Sequence, residues 1–186
     1  MSVVVSTGST TEGGATSGGP RVVLVGPMGS GKTTVARLLS EHWGVPARDT
    51  DEDVEAAEGR TISDIFVEDG EVHFRALERA AVAVALSEHD GVLSLGGGAV
   101  LADETRAALD GHPVVFLRVG LSDAVKRVGL GVSRPLLLGN VRSRVKALLD
   151  ERTPVYEAVA CFSVDTDGRT PEDVAAEIID RIEETP

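Results

Sequence analysis

Residues Gly26 to Thr33 read Gly-Pro-Met-Gly-Ser-Gly-Lys-Thr, a G-x-x-x-x-G-K-[ST] string. It directly follows a short β-branched run, Arg21 to Val25, and opens the stretch Thr33 to Trp43, where Val35, Leu38 and Leu39 recur at helical spacing. Strand, glycine-rich turn and helix in that order constrain the fold more than any other feature, because the motif has meaning only at the carboxyl end of a buried strand. The glycines let successive backbone N–H groups curl toward phosphate oxygens, and the helix N-terminus adds partial positive charge. Lys32, one of three lysines with Lys126 and Lys146, would reach the β- and γ-phosphates of a nucleoside triphosphate, and Thr33 would offer its hydroxyl to Mg²⁺. An incidental glycine-rich turn is the competing reading, and the flanking strand and helix weigh against it.

The remaining chain alternates in the same way. Short apolar runs at Val92 to Leu95, Pro113 to Val119 and Cys161 to Val164, with a further short strand at Ala47 to Thr50, bring the predicted strands to five. Helical stretches lie around Glu71 to Leu86, Leu121 to Val128, Val141 to Ala158 and Pro171 to Glu184. The pattern predicts an α/β fold of three layers, with helices on both faces of a parallel sheet. Ligands of such sheets bind beyond the carboxyl ends of the strands. No internal repeat is present. Residues 1–20 hold 13 Gly, Ser or Thr and one charge, Glu12, too little apolar surface to offset ordering, so they are expected to form a flexible tail. Residues 21–186 are then expected to make one domain.

Thirty acids against 18 bases leave a net charge of −12 on 186 residues. That field opposes nucleic acid and anionic lipid, and a 3% aromatic content offers no stacking platform. No run approaches the roughly 18 apolar residues of a membrane span, and the opening lacks the charged start and apolar core of a secretory signal. A single cysteine, Cys161, excludes an intrachain disulfide framework and fits a reducing compartment. A cytoplasmic protein with no nucleic-acid or membrane partner is expected. The charge is uneven, however: Leu121 to Asp150 holds six bases and two acids, a local +4 that leaves −16 on the rest. A small anionic ligand is therefore compatible with the acidic balance.

Three further motifs fall where an acceptor would lie. Asp49-Thr50-Asp51 follows the second strand. On an extended segment its two carboxylates would face one ligand, one near Mg²⁺ and one near an acceptor hydroxyl; equally, they belong to an acidic run that would merely cap a helix. Arg75 and Glu78 are three apart on a predicted helix and would pair, orienting a guanidinium for a planar carboxylate, although an ordinary surface pair has the same spacing. Gly96-Gly97-Gly98 ends the third strand, either as a close-approach site for a ligand or as a loose turn. A switch GTPase is disfavoured, since N-K-x-D is absent and the D-x-x-G string Asp165 to Gly168 comes after the last strand.

Taken together, GPMGSGKTT, DTD, TISDIFVEDGEVHFRALE, LSLGGGAV, SRPLL, ERTPVY and GRTP, in that order from residue 21 to about 185, resemble the shikimate kinases, small P-loop kinases of the nucleoside-monophosphate-kinase type. The resemblance implies a P-loop kinase fold with a mobile lid at about 128–142 and acceptor-binding helices at about 50–80. It implies ATP and shikimate as substrates, Mg²⁺, and transfer of the γ-phosphoryl to the 3-hydroxyl of shikimate in aromatic amino acid biosynthesis, by a chain expected to act as a monomer. Gly29, Ser30, Gly31, Lys32, Thr33 and Thr34 would hold the ATP phosphates, with Asp49 supporting the metal through water. Asp51 would orient or deprotonate the attacking hydroxyl. Arg75 and Arg152 would clamp the carboxylate, the backbone of Gly96, Gly97 and Gly98 would complete the pocket, and Phe66, Phe74 and Pro135 would wall it. Arg134 would enter from the lid to neutralise the transferring phosphoryl. Arg127 would lie against adenine, opposite Arg169 and Pro171.

Gluconate and nucleotide kinases of the same fold are the nearest rivals. Two arginines with Asp51 favour an acceptor with both a carboxylate and hydroxyls, which a nucleoside monophosphate lacks. The segment Gly129 to Ser133 has its own sequence, and the tail has no counterpart in the family pattern. His42, His73, His89 and His112 lack zinc-ligand spacing and are expected at the surface or on helices. Cys161 is expected to be a small core residue and Trp43 a packing residue.

Overall fold

The computed structural model describes residues 18–129 and 140–184. Five strands, β1 (Val22–Val25), β2 (Ala47–Asp49), β3 (Val92–Ser94), β4 (Val114–Arg118) and β5 (Phe162–Asp165), form one sheet in the order β2-β3-β1-β4-β5. Every adjacent pair is parallel. Eight α-helices are present among the described residues: α1 (Lys32–Trp43), α2 (Thr50–Glu58), α3 (Ile62–Glu68), α4 (Gly70–Glu88), α5 (Asp103–Leu109), α6 (Leu121–Gly129), α7 (Val141–Val159) and α8 (Pro171–Glu183). A 3-10 turn spans Ala99–Leu101.

The unbroken apolar character of β1 follows from its place at the sheet centre, where alternate residues bury on opposite faces. Val22 and Leu24 pack with Val35 and Leu39 of α1 and Val174 and Ile178 of α8. Val23 and Val25 pack on the other face with Val82 and Ala85 of α4, Leu109 of α5 and Tyr156 of α7. Two smaller clusters flank the sheet. Val54, Ile65 and Phe74 join α2, α3 and α4, whereas Ala124 and Val145 join α6 to α7 and reach Met28 of the P-loop. No helix among the described residues is long and apolar enough to cross a membrane.

The structure changes three expectations. Asp49 and Asp51 do not share an extended segment: Asp49 ends β2 and caps α2, its carboxylate accepting from the Asp51 N–H at 2.9 Å, so Asp51 already lies in the helix. Cys161 is exposed, one residue before β5, with its thiol facing the His112 carbonyl at 3.7 Å. His89 is buried beyond the end of α4, its Nε2 3.0 Å from the Val92 carbonyl, which ties the helix end to β3. Trp43 packs as expected, with Arg21 over its ring and its N–H donating to Glu183 at 2.9 Å. The proposed tail overlaps the described residues only at 18–20, where Pro20 is buried; residues 1–17 and the lid core 130–139 lie outside them.

Candidate active site

All the described motif residues gather beyond the carboxyl ends of the strands. After β1 the chain turns through Gly26, whose φ of 152° and contact with the Leu117 carbonyl leave no room for a side chain. Gly31 caps α1 at φ 90° with no side-chain cap, so the first-turn N–H groups stay available to an anion. Lys32 bends over the loop, donating to the carbonyls of Gly26 at 2.7 Å and Pro27 at 3.1 Å. Thr33 and Thr34 are exposed on the first turn, whereas Ser30 is buried under the loop. Gly29 packs against α6, and Arg127 of that helix donates to the Gly29 carbonyl at 3.0 Å and to Thr166 through both its hydroxyl and carbonyl. Arg127 thereby ties the P-loop to the segment after β5. On that segment Arg169 is held by the Asp165 carbonyl and Glu177, next to Pro171 at the start of α8.

The acceptor residues come from α2, α4, α7 and the loop after β3. Arg75 and Glu78 pair at 2.7 Å, and Glu71 reaches the same guanidinium from the other side at 3.2 Å. Burial opposes the Arg75 charge, but Glu78 and Glu71 outweigh it and hold the guanidinium more firmly protonated than usual. Glu78 is itself buried, and that desolvation raises its carboxyl above the ordinary range although Arg75 and Arg152 pull it down. Arg152 is buried on α7.

The glycine loop explains how these groups converge. Its three members face different partners. A side chain at Gly96 would overlap the Asp51 carboxylate and come within 2.8 Å of Glu78, and one at Gly98 would overlap the Arg75 guanidinium. At Gly97 it would touch Arg152 Nη1 at 3.8 Å. The Gly96 N–H donates at 3.2 Å to the hydroxyl of buried Thr50, which locks the loop to the start of α2. Phe66 and Phe74 pack with their ring centroids 4.8 Å apart and their planes tilted by 38°, and the Arg75 guanidinium lies 5.3 Å from the Phe74 ring. Phe74 is buried and Phe66 half-buried, so they form an apolar base beside the charged groups. Arg134 and Pro135 fall outside the described residues.

Sequence reasoning assigned no role to Thr50, Glu71 or Tyr156. The i,i+4 spacing of Glu71 and Arg75, and of Arg152 and Tyr156, was the available signal. For metal, Thr33 offers a hydroxyl and Asp49 a half-buried carboxylate. Those hard oxygen donors suit Mg²⁺, which takes few protein ligands and completes its shell with phosphate and water. No group of three or more His, Cys, Asp or Glu among the described residues builds a self-contained metal site. A cleft of about 760 Å³ at the opposite end of the sheet, bordered by Arg106, Pro113 and Cys161, contains none of the motif residues.

Known proteins resemble this chain in sequence and in fold. The family model described as shikimate kinase matches residues 28–183. The shikimate kinase of Salinispora arenicola is 63% identical over 159 residues, covering 86% of this chain and 95% of its own. A shikimate kinase from Acinetobacter baumannii, solved in complex with shikimate, superposes with a TM-score of 0.85 at 34% identity, over 90% of this chain and 96% of its own. A gluconokinase from Sinorhizobium meliloti reaches a TM-score of 0.56 at 21% identity, over 87% of this chain and 90% of its own, a likeness of fold alone.

Proposed function

This chain belongs to the shikimate kinase family, phosphorylating the 3-hydroxyl of shikimate with ATP in aromatic amino acid biosynthesis, and we propose that Asp51, Arg75, Arg152 and Gly96 to Gly98 form its acceptor pocket. The observation that carries this reading is the glycine loop, whose three successive residues lie against Asp51, Arg152 and Arg75, with no space for a side chain at Gly96 or Gly98. One surface thus offers two guanidinium groups for a carboxylate and one carboxylate for a hydroxyl, which is the chemistry of a hydroxy acid.

In this reading Arg75, oriented by Glu78, and Arg152 hold the shikimate carboxylate by charge-assisted hydrogen bonds. Phe66 and Phe74, joined by Pro135, wall the ring. Asp51 accepts from the 3-hydroxyl and aims its oxygen at the γ-phosphorus. Transfer forms the bond from that oxygen to phosphorus and breaks the β–γ bridging bond, whose electrons leave with ADP. The hydroxyl proton passes to Asp51 or to solvent. Gly29 to Thr34 hold the phosphates, Lys32 and Arg134 offset charge on the transferring group, and Arg127, Arg169 and Pro171 border the adenine. Thr33 and, through water, Asp49 would hold Mg²⁺, which when bound would supply positive charge to offset that on the phosphates. Positioning and electrostatics account for most of such a rate enhancement.

Residues 21–186 act as one domain in this reading, with residues 1–20 as a tail and about 128–142 as a lid. The acting unit in this reading is the monomer. A cytoplasmic setting fits the single free cysteine. Steady-state kinetics of Arg75→Ala test the pocket. Loss of a buried charge pair costs about 2–5 kcal/mol, so the shikimate KM is expected to rise about a hundredfold while the ATP KM stays within about twofold. Equal losses for both substrates would place Arg75 elsewhere.

A further inference from the structure

We infer that Tyr156 is a positioning residue of this kinase, holding the Arg152 guanidinium and the Gly97 backbone in one arrangement for the acceptor carboxylate. The inference rests on the assignment of Arg152 to that carboxylate. Arg75 and Arg152 are oriented by different means. Arg75 has two carboxylates, Glu78 and Glu71. Arg152 is buried, makes no ion pair among the described residues, and leaves its Nε without a hydrogen-bond partner. Something else must fix a long side chain with several rotatable bonds.

Tyr156 lies one helical turn further along α7, on the same face. Its side chain is fully buried and its ring stacks on Phe116 of β4 at 5.0 Å, so core packing rather than side-chain torsion sets where the hydroxyl sits. That hydroxyl donates to the Gly97 carbonyl. With its one proton committed there, the phenol oxygen presents only lone pairs to other groups, and Arg152, one turn earlier on the same face of α7 and beside the same Gly97, is the cation nearest to use them. Arg152 Nη1 also lies over Gly97, 3.8 Å from where a Cβ would be. One oxygen therefore links the sheet core, the glycine loop and a substrate-facing cation.

The chemistry of the link matters. A carboxylate in this place would neutralise Arg152 and compete with the substrate's own carboxylate. A phenol holds the guanidinium without cancelling its charge. Burial, only partly countered by Arg152, pushes the Tyr156 hydroxyl up to about 12, so it stays neutral throughout the working range. Arg152 is thereby kept buried and positioned, with Glu78 nearby but no ion pair of its own among the described residues, until the anionic acceptor arrives.

A double-mutant cycle with Tyr156→Phe and Arg152→Ala separates this role from simple packing. Phenylalanine keeps the ring volume and the stack on Phe116, and a thermal melt of each variant verifies that the fold is retained. Tyr156→Phe alone is expected to raise the shikimate KM about tenfold, with the ATP KM within about twofold, in line with losing a hydrogen bond to a charged group. In the Arg152→Ala background the same substitution is expected to change the shikimate KM less than about twofold. Independent, multiplicative effects would overturn the inference, as would parallel rises for shikimate and ATP. If Arg152→Ala alone leaves the shikimate KM unchanged, the carboxylate assignment fails and the inference falls with it; a strong Arg152→Ala effect with a silent Tyr156→Phe removes the inference alone.

Discussion

Glu78 faces Arg75 and Arg152, with Glu71 nearby, and is buried deeply enough that its carboxyl titrates above its ordinary 4.5. This has opposite consequences for binding and for folding. As the pH falls through the raised value, Glu78 gains a proton and Arg75 loses the anion that orients it. The shikimate KM should then climb on the acid side, while the ATP KM, set across the sheet at the P-loop, stays level. For the fold the sign reverses. A carboxyl whose folded pKa exceeds its unfolded one binds its proton more tightly when folded, so its stabilising contribution is fully present below the unfolded value and is lost as pH rises through the folded one. Kinetics and melting between about pH 8 and about pH 5 check both parts, and Glu78→Gln is expected to have a high shikimate KM that no longer varies there. An acid limb retained in that variant would assign it to another group. The Arg75–Glu78 pairing was legible from spacing alone, because three residues bring helical side chains together. The burial that gives the pair its meaning was not, since it depends on packing from β3 and α7.

Among the elements, the loop Gly96 to Gly98 does most to assemble the pocket, and its sequence shows why glycine is required there. Gly98 has φ −100°, a value open to alanine, so the demand is for space against Arg75 and not for an unusual backbone. Gly98→Ala is accordingly expected to disturb Arg75 by overpacking, which costs about 1–3 kcal/mol. Acceptor titrations should show the shikimate KM raised about tenfold with the ATP KM unaltered; an unchanged shikimate KM would mean that the crowding is relieved at no cost to binding. The main strands and long helices were readable from apolar runs and helical periodicity. The seven-residue helices α3 and α5 were not, being too short to display a period. Of the two readings of Asp49 and Asp51, the helix cap holds and the extended pair does not, because the helix begins at Thr50 and leaves Asp49 as its cap and Asp51 as its second residue. Tyr156 lay inside the noted ERTPVY segment, yet only the packed Phe116 and Gly97 partners give its hydroxyl a function.

Across the whole molecule, the net charge of −12 and the anionic substrates are reconciled by placement. Arg75 and Arg152 are withdrawn from the surface into the proposed acceptor pocket, and Lys32 lies along the P-loop, whereas the acids dominate the exterior. The parallel sheet makes this possible: with helices covering both faces, its carboxyl edge gathers the P-loop from β1, Asp49 from β2 and the glycine loop from β3 within one cleft. That arrangement is legible in the sequence as motifs at successive strand ends, while the distances between them are a property of the assembled sheet. The fold is shared with a gluconokinase, so selectivity must reside in the acceptor cluster. The most direct test is ADP release from Mg-ATP with shikimate, shikimate methyl ester and gluconate offered in parallel. Two guanidinium groups gripping a carboxylate predict efficient turnover of shikimate and a loss of about a hundredfold in kcat/KM for the ester, and an apolar wall of Phe66 and Phe74 shaped for a ring predicts little turnover of open-chain gluconate. An ester used as well as the acid, or a preference for gluconate, would contradict the account.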